Sequence, residues 1–222
     1  MQDTHVRKKT TTMTTHGSTE STGNTGRTGE NNNKVSLEYI KRFPYQLMYL
    51  KEQTPELCMA AVQQNGNILV YVKEQTPELC MAAVQQNSAA LRWAYKTPAL
   101  CATAVQQNGL ALKCVPESNQ TPQLYQAAVE QRGAAVRYVP LAHRTFELCL
   151  AACKNSTSMI LQYVPTRYRT PKLLLAYVSY GHDLGSIPYS ERSFEVCLAA
   201  VKMGNSLEYV PMIHRTEQVC WI

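Results

Sequence analysis

The stretch KEQTPELCMAAVQQN stands at Lys51–Asn65 and again, residue for residue, at Lys73–Asn87, 22 positions further on. Read position by position, it describes a helix. Thr54 is a preferred N-cap, its hydroxyl accepting a bond from an unpaired helical N–H. Pro55 suits the first helical position, where a missing N–H does no harm. Glu56 lies at the positive end of the helix dipole. Leu57 and Cys58 recur with Ala61 and Val62 at i, i+4, which makes one apolar face. Asn65-Gly66 supplies a stop, with Gly66 free to adopt a left-handed cap. The spacing predicts a helix of about three turns.

The same pattern runs outward along the chain. Units open at Thr54, Thr76, Thr97, Thr121, Thr145, Thr170, Ser193 and Thr216, with spacings of 22, 21, 24, 24, 25, 23 and 23 residues. Each helix is followed by a shorter apolar segment, such as ALKCVP (111–116), AVRYVP (135–140), ILQYVP (160–165) or SLEYVP (206–211). Leu and Val three apart fit one face of a short helix, and the Pro ends or redirects it. Leu-x-Tyr also fits a strand period, so a strand is the alternative reading of this segment. One such unit cannot bury its apolar side alone, whereas a stack buries a continuous core. Alanine pairs such as Ala60-Ala61 and Ala127-Ala128 would let neighbouring helices approach closely. The expected fold is an all-α solenoid of helix–turn–short-helix units over residues 34–222, or an α/β solenoid if the short segment is a strand. Residues 1–33, dominated by Thr, Gly, Ser and Asn, read as a disordered tail.

The unit T-P-E-L-C-x-A-A-V-x-Q-x-G, followed by A-L-x-Y-V-P, resembles tandem helical repeats of a bacterial domain of unknown function. The resemblance covers roughly Leu47 to Ile222 and implies a helical array, with no catalytic residues to carry over. It departs at Thr170–Pro188, where Leu174 stands at the Cys position and Tyr177 at the second Ala. Some proteins with such repeats come from host-associated bacteria, so the resemblance also implies an exported effector as an alternative to a cytoplasmic protein.

The composition excludes several function classes. Net charge is +6, from 22 basic and 16 acidic residues among 222, well short of a nucleic-acid-binding signature. No stretch approaches the ~18 apolar residues of a membrane span. The chain contains no G-x-x-x-x-G-K-S/T, G-x-S-x-G or H-E-x-x-H motif, so no enzyme class is indicated, and no cofactor or metal is expected. Cys58, Cys80, Cys101, Cys149, Cys197 and Cys220 share one slot of the unit, where Leu174 and Tyr125 also occur. Such a slot calls for an apolar filler, and reduced thiols suit a reducing compartment. His182-Asp183 stands in the least repetitive spot, together with Tyr177 and Tyr180.

Two periodic stripes are the candidate binding features. One is aromatic: Tyr71, Trp93, Tyr138, Tyr163 and Tyr209, with Tyr49 before them, occupy equivalent slots. They read as inter-unit packing or as an exposed ladder along a concave face that grips a peptide. The other is basic: Arg144, Arg169, Arg192 and Arg215 precede the N-caps of the C-terminal half, where the first half carries Gln53, Gln75, Lys96 and Gln120. They read as local pairs with Glu147 and Glu195 or as a ridge for an anionic partner. The expectation is a non-enzymatic scaffold for an unidentified, acidic protein partner. Nucleic-acid or other polyanion binding through the arginines is the alternative, and weak self-association through the end of the array is also expected.

Overall fold

The chain divides into Met1–Lys34 and Val35–Ile222. The computed structural model describes residues 36–156 and 159–220, so the Thr-rich segment lies outside the described residues. The second unit is all-helical, with no strand among the described residues. Its α-helices are α1 (Leu37–Arg42), α2 (Pro55–Gln64), α3 (Pro77–Gln86), α4 (Pro98–Gln107), α5 (Pro122–Gln131), α6 (Phe146–Lys154), α7 (Pro171–Ser179), α8 (Phe194–Lys202) and α9 (Glu217–Cys220). Each packs on the next, as a helical repeat solenoid requires.

The helix starts follow the sequence closely. Thr54, Thr76, Thr97, Thr121, Thr145 and Ser193 each accept the N–H three residues on. A cap of this kind stabilises a helix by ~1 kcal/mol. Thr170 is the exception, with no side-chain cap bond. The apolar faces turn inward: Leu57, Cys58, Ala61 and Val62 are buried, as are Leu124, Tyr125, Ala128 and Val129 at the same positions of α5.

The short second segment is a 3-10 helix, not a strand. Examples are Gly66–Tyr71, Ser88–Arg92, Gly109–Cys114, Gly133–Tyr138, Leu161–Tyr163 and Leu207–Tyr209. Asn65, Asn87 and Asn108 make the switch. Each ends its α-helix in extended backbone, and its side chain accepts the N–H two residues on to start the 3-10 turn. The tighter helix gives the segment a fixed set of exposures. Leu69, Leu91, Leu112, Val136 and Leu161 are buried, while the next residue in each unit (Val70, Arg92, Lys113, Arg137, Gln162) is exposed. From Pro116 onward a second 3-10 turn follows, at Glu117–Asn119, Leu141–His143, Thr166–Tyr168, Tyr189–Glu191 and Met212–His214. This turn accounts for the longer repeats of the C-terminal half.

The glycines of the Asn-Gly pairs have a different role from the one expected. Positive φ occurs at Gly181 and Gly204, not at Gly66 or Gly109. A Cβ at Gly66 would clash with the backbone carbonyl of Ala83 in the next helix, and one at Gly109 with that of Ala128. Glycine is there because neighbouring units touch backbone to backbone. Gly109→Ala is expected to force the turn that it opens away from α5 and cost about 1–3 kcal/mol. Gly204→Ala, which meets no neighbour, is expected to cost only the ~1–2 kcal/mol of left-handed backbone. Thermal denaturation of the two variants checks this; a wild-type midpoint for Gly109→Ala would contradict the close approach.

Candidate functional site

A 3-10 turn ends with carbonyls that have no partner within it. Except at Lys96, the residue before the N-cap supplies such a partner. Gln53 donates from Nε2 to Leu47 O at 3.0 Å within its own unit and to Tyr71 O at 2.9 Å in the next. Gln75 repeats this with Leu69 O and Trp93 O. Arg144 extends it, donating from Nε to Val139 O at 2.8 Å, from one terminal nitrogen to Arg137 O, and from the other to Tyr163 O at 2.7 Å. Arg192 does the same with Ile187 O, Gly185 O and Tyr209 O. Arg215 binds Val210 O and Glu208 O of its own unit.

Arg144, Arg169, Arg192 and Arg215 are therefore staples. Their guanidinium groups turn to backbone carbonyls rather than to Glu147 or Glu195. Arg169 is a variation: its Nε binds Val164 O, and a terminal nitrogen meets Glu191 Oε1 at 3.4 Å. In the next unit Ser186 stands where a tyrosine stands elsewhere. Burial draws the pKa of Arg144 below the ordinary guanidinium value. Lys96 has no fork with which to do this work, and Asn119 reaches back from the following unit to Lys96 O instead.

The aromatic stripe is split by the same geometry. The carbonyls of Tyr71, Trp93, Tyr163 and Tyr209 accept the staple. The rings of Tyr71, Tyr138 and Tyr163 lie half-buried against the core. Tyr49, Trp93 and Tyr209 remain 71%, 42% and 36% exposed. At Arg144–Tyr163 and Arg192–Tyr209 the stripes read separately in the sequence are thus two halves of one inter-unit bond, joining a side chain of one unit to the backbone of the next.

The far end of the long helices carries a second bridge. Gln86 Oε1 accepts the Gly66 N–H at 2.6 Å, and Gln131 Oε1 that of Gly109 at 2.6 Å. The amides of Gln107 and Gln131 donate to the end of the preceding helix, at Gln85 O and Gln107 O. The C-terminal units lack these glutamines and replace them. His182 is buried, stacked on Tyr177 with centroids 4.2 Å apart, and its Nε2 meets Cys153 O at 2.6 Å. Tyr177 Oη and Ser186 Oγ are 2.7 Å apart. Asn205 Oδ1 accepts the Leu184 N–H at 2.7 Å. The irregular spot around Tyr177–His182 is thus a different solution to the same packing problem.

Cys58, Cys80, Cys101, Cys149, Cys153 and Cys197 are buried, Cys114 is half-buried and Cys220 is exposed. Burial raises the Cys149 thiol to about 11, against the pull of Arg144 and Arg167, and the Cys153 thiol to about 12. Among the described residues, no three His, Cys, Asp or Glu side chains come together to hold a metal ion, and no helix is long and apolar enough to cross a membrane. The fold and its bonds define a helical repeat array. No protein-family model matches the chain, nor does any curated protein or solved structure.

Two measurements test this arrangement. Arg192→Gln retains the amide that the slot carries in the first half of the array, whereas Arg192→Ala leaves the part-buried Ile187 carbonyl and the exposed carbonyls of Gly185 and Tyr209 without this donor. The alanine variant is expected to lose about 1–3 kcal/mol and the glutamine variant clearly less; denaturant melts that rank them equally would remove the staple. The thiols give a pH dependence. Their pKa values are raised above the ordinary 9.0 on folding, so above that pH the unfolded chain binds fewer protons than the folded one. Stability is expected to be flat below about pH 9 and to fall as pH rises toward the folded values. A Cys149→Ala/Cys153→Ala variant is expected to fall less steeply between pH 9 and pH 11, as read by thermal midpoint.

Proposed function

We propose that the array is a non-enzymatic scaffold that binds another protein along the exposed edge of its 3-10 turns. One observation carries this reading. Every unit presents an exposed residue at the same position of its short segment, from Met48 and Val70 through Arg92, Lys113 and Arg137 to Gln162 and Glu208, and in all of these but the last the residue just before it is buried. Identical backbone and varied side chains make an extended surface whose chemistry changes from unit to unit, as repeat stacks provide. The cysteine thiols and His182 have structural surroundings instead. The resemblance to uncharacterised bacterial repeats is compatible with this role, and the uncrosslinked cysteines suit a reducing compartment such as the cytoplasm.

Polyanion binding through Arg144, Arg169, Arg192 and Arg215 draws less support, because their donors are committed to carbonyls and to Glu191. The test is site-specific crosslinking. A photoreactive residue placed at Val70, Lys113 or Gln162 is expected to trap a protein from nuclease-treated lysate, and one placed at Arg132, at the far end of α5, is not. Adducts that form only at Arg132, or only while nucleic acid is intact, would sink the proposal.

A further inference from the structure

The exposed edge is not uniform. In three successive units the exposed position carries a cation: Arg92, Lys113 and Arg137. Before them stands Val70, and after them Gln162, Gly185 and Glu208. The turns Ser88–Arg92, Gly109–Cys114 and Gly133–Tyr138 that bear them pack one on another in succession. The cations therefore form a row, one per unit, along one edge.

Two features suit this row to a ligand. The charges are unspent: the ion pairs among the described residues join Lys41 to Glu38 and Arg169 to Glu191, and neither involves the row. The two arginines are also held in place. The Arg92 guanidinium lies 5.0 Å from the Trp93 ring centroid and that of Arg137 lies 4.7 Å from the Tyr138 centroid. Stacking on a ring restrains a long side chain before a ligand arrives, which lowers the ordering cost of binding. The backbone beneath is fixed as well, since Arg144 holds the carbonyl of Arg137 and Gln75 holds that of Trp93.

The spacing selects the ligand. Packed helices stand ~8–10 Å apart, so cations one unit apart repeat at about that distance. A polyproline II chain has three residues per turn and rises ~3.1 Å per residue, so every third side chain falls on one face ~9.3 Å from the last. Carboxylates at every third position would meet successive cations. The rings beside them, of which Trp93 is exposed, offer the kind of flat apolar surface on which proline-rich segments dock. We infer that Arg92, Lys113 and Arg137, with Trp93 and Tyr138, form a binding edge for an acidic, proline-rich segment of a partner protein, with an acid at every third residue. This rests on the scaffold reading and names the chemistry of its partner.

The test uses the full chain and labelled peptides in fluorescence anisotropy. One probe is built of Glu-Pro-Ser repeats; a second has the same composition with its acids clustered; a third is a single-stranded oligonucleotide of equal charge. The repeat peptide is expected to bind at least roughly tenfold tighter than the clustered isomer and than the oligonucleotide. Changing Arg92, Lys113 and Arg137 together to Gln, the residue the same slot carries at 162, is expected to weaken repeat-peptide binding by at least about tenfold. The same change at Arg132, Lys154 and Lys202, at the other end of the long helices, alters net charge equally and is expected to leave binding unchanged. Circular dichroism confirms that both variants fold. Absent binding, equal binding of the isomers, tighter binding of the oligonucleotide or an unaffected row variant would each overturn the inference. If the row variant still crosslinks a protein through Val70 or Gln162, the scaffold reading stands and only this edge falls; if the wild type crosslinks none, the scaffold reading falls itself.

Discussion

The array depends on one bond: the carbonyls left open at the end of each 3-10 turn must find donors, and the residue before the next N-cap provides them. Because Gln53, Gln75, Arg144 and Arg192 also reach the following unit, closing one turn there joins two units. Gln53 and Gln75 do this with a single amide, Arg144 and Arg192 with a forked cation. The fork spans more acceptors, so Arg144 and Arg192 also tie down a carbonyl within the turn, at Arg137 and Gly185. Removing a donor here would strand part-buried acceptors, which costs more than the net worth of the bond itself.

Close approach is the second constraint, and it sets what the first can use. The start of the short turn touches the backbone of the next long helix at an alanine, so Gly66 and Gly109 have no room for a Cβ. Their N–H groups then fall within reach of Gln86 and Gln131. Where Ser88 stands at the Gly66 position the amide half of the bridge remains, Gln107 donating to Gln85 O as Gln86 and Gln131 donate to Gln64 O and Gln107 O, while His182 on Tyr177 serves the unit with the largest departure. Drift in the later units has therefore kept the bonds while changing the residues that make them.

These constraints divide each unit into positions that build and positions that are free. The buried slot, the residue before the N-cap and the start of the short turn are constrained by the stack. The exposed position of each short turn is not, and its identity runs from apolar through basic to acidic along the array. The basic part of that run coincides with rings that hold its arginines. Binding chemistry can change at such a position without disturbing the buried core, because the residue there is exposed.

The sequence by itself determined the repeat, the helix starts and the buried face. Caps, proline at the first helical position and apolar spacing are local rules, and the copied stretch at Lys51–Asn65 and Lys73–Asn87 states them twice. It also singled out both stripes and the spot at Tyr177–His182. What only the tertiary structure decided was their meaning. The period of a six-residue segment cannot separate a strand from a 3-10 helix, and the Asn side chains that start the turn act only once the α-helix before them has ended. The arginines read as a surface ridge because their acceptors are backbone carbonyls 17 to 19 residues away, which no residue letter marks. Arg92, Lys113 and Arg137 are not legible as a row for a similar reason: a cation in a short segment is only one letter until stacking sets three of them side by side.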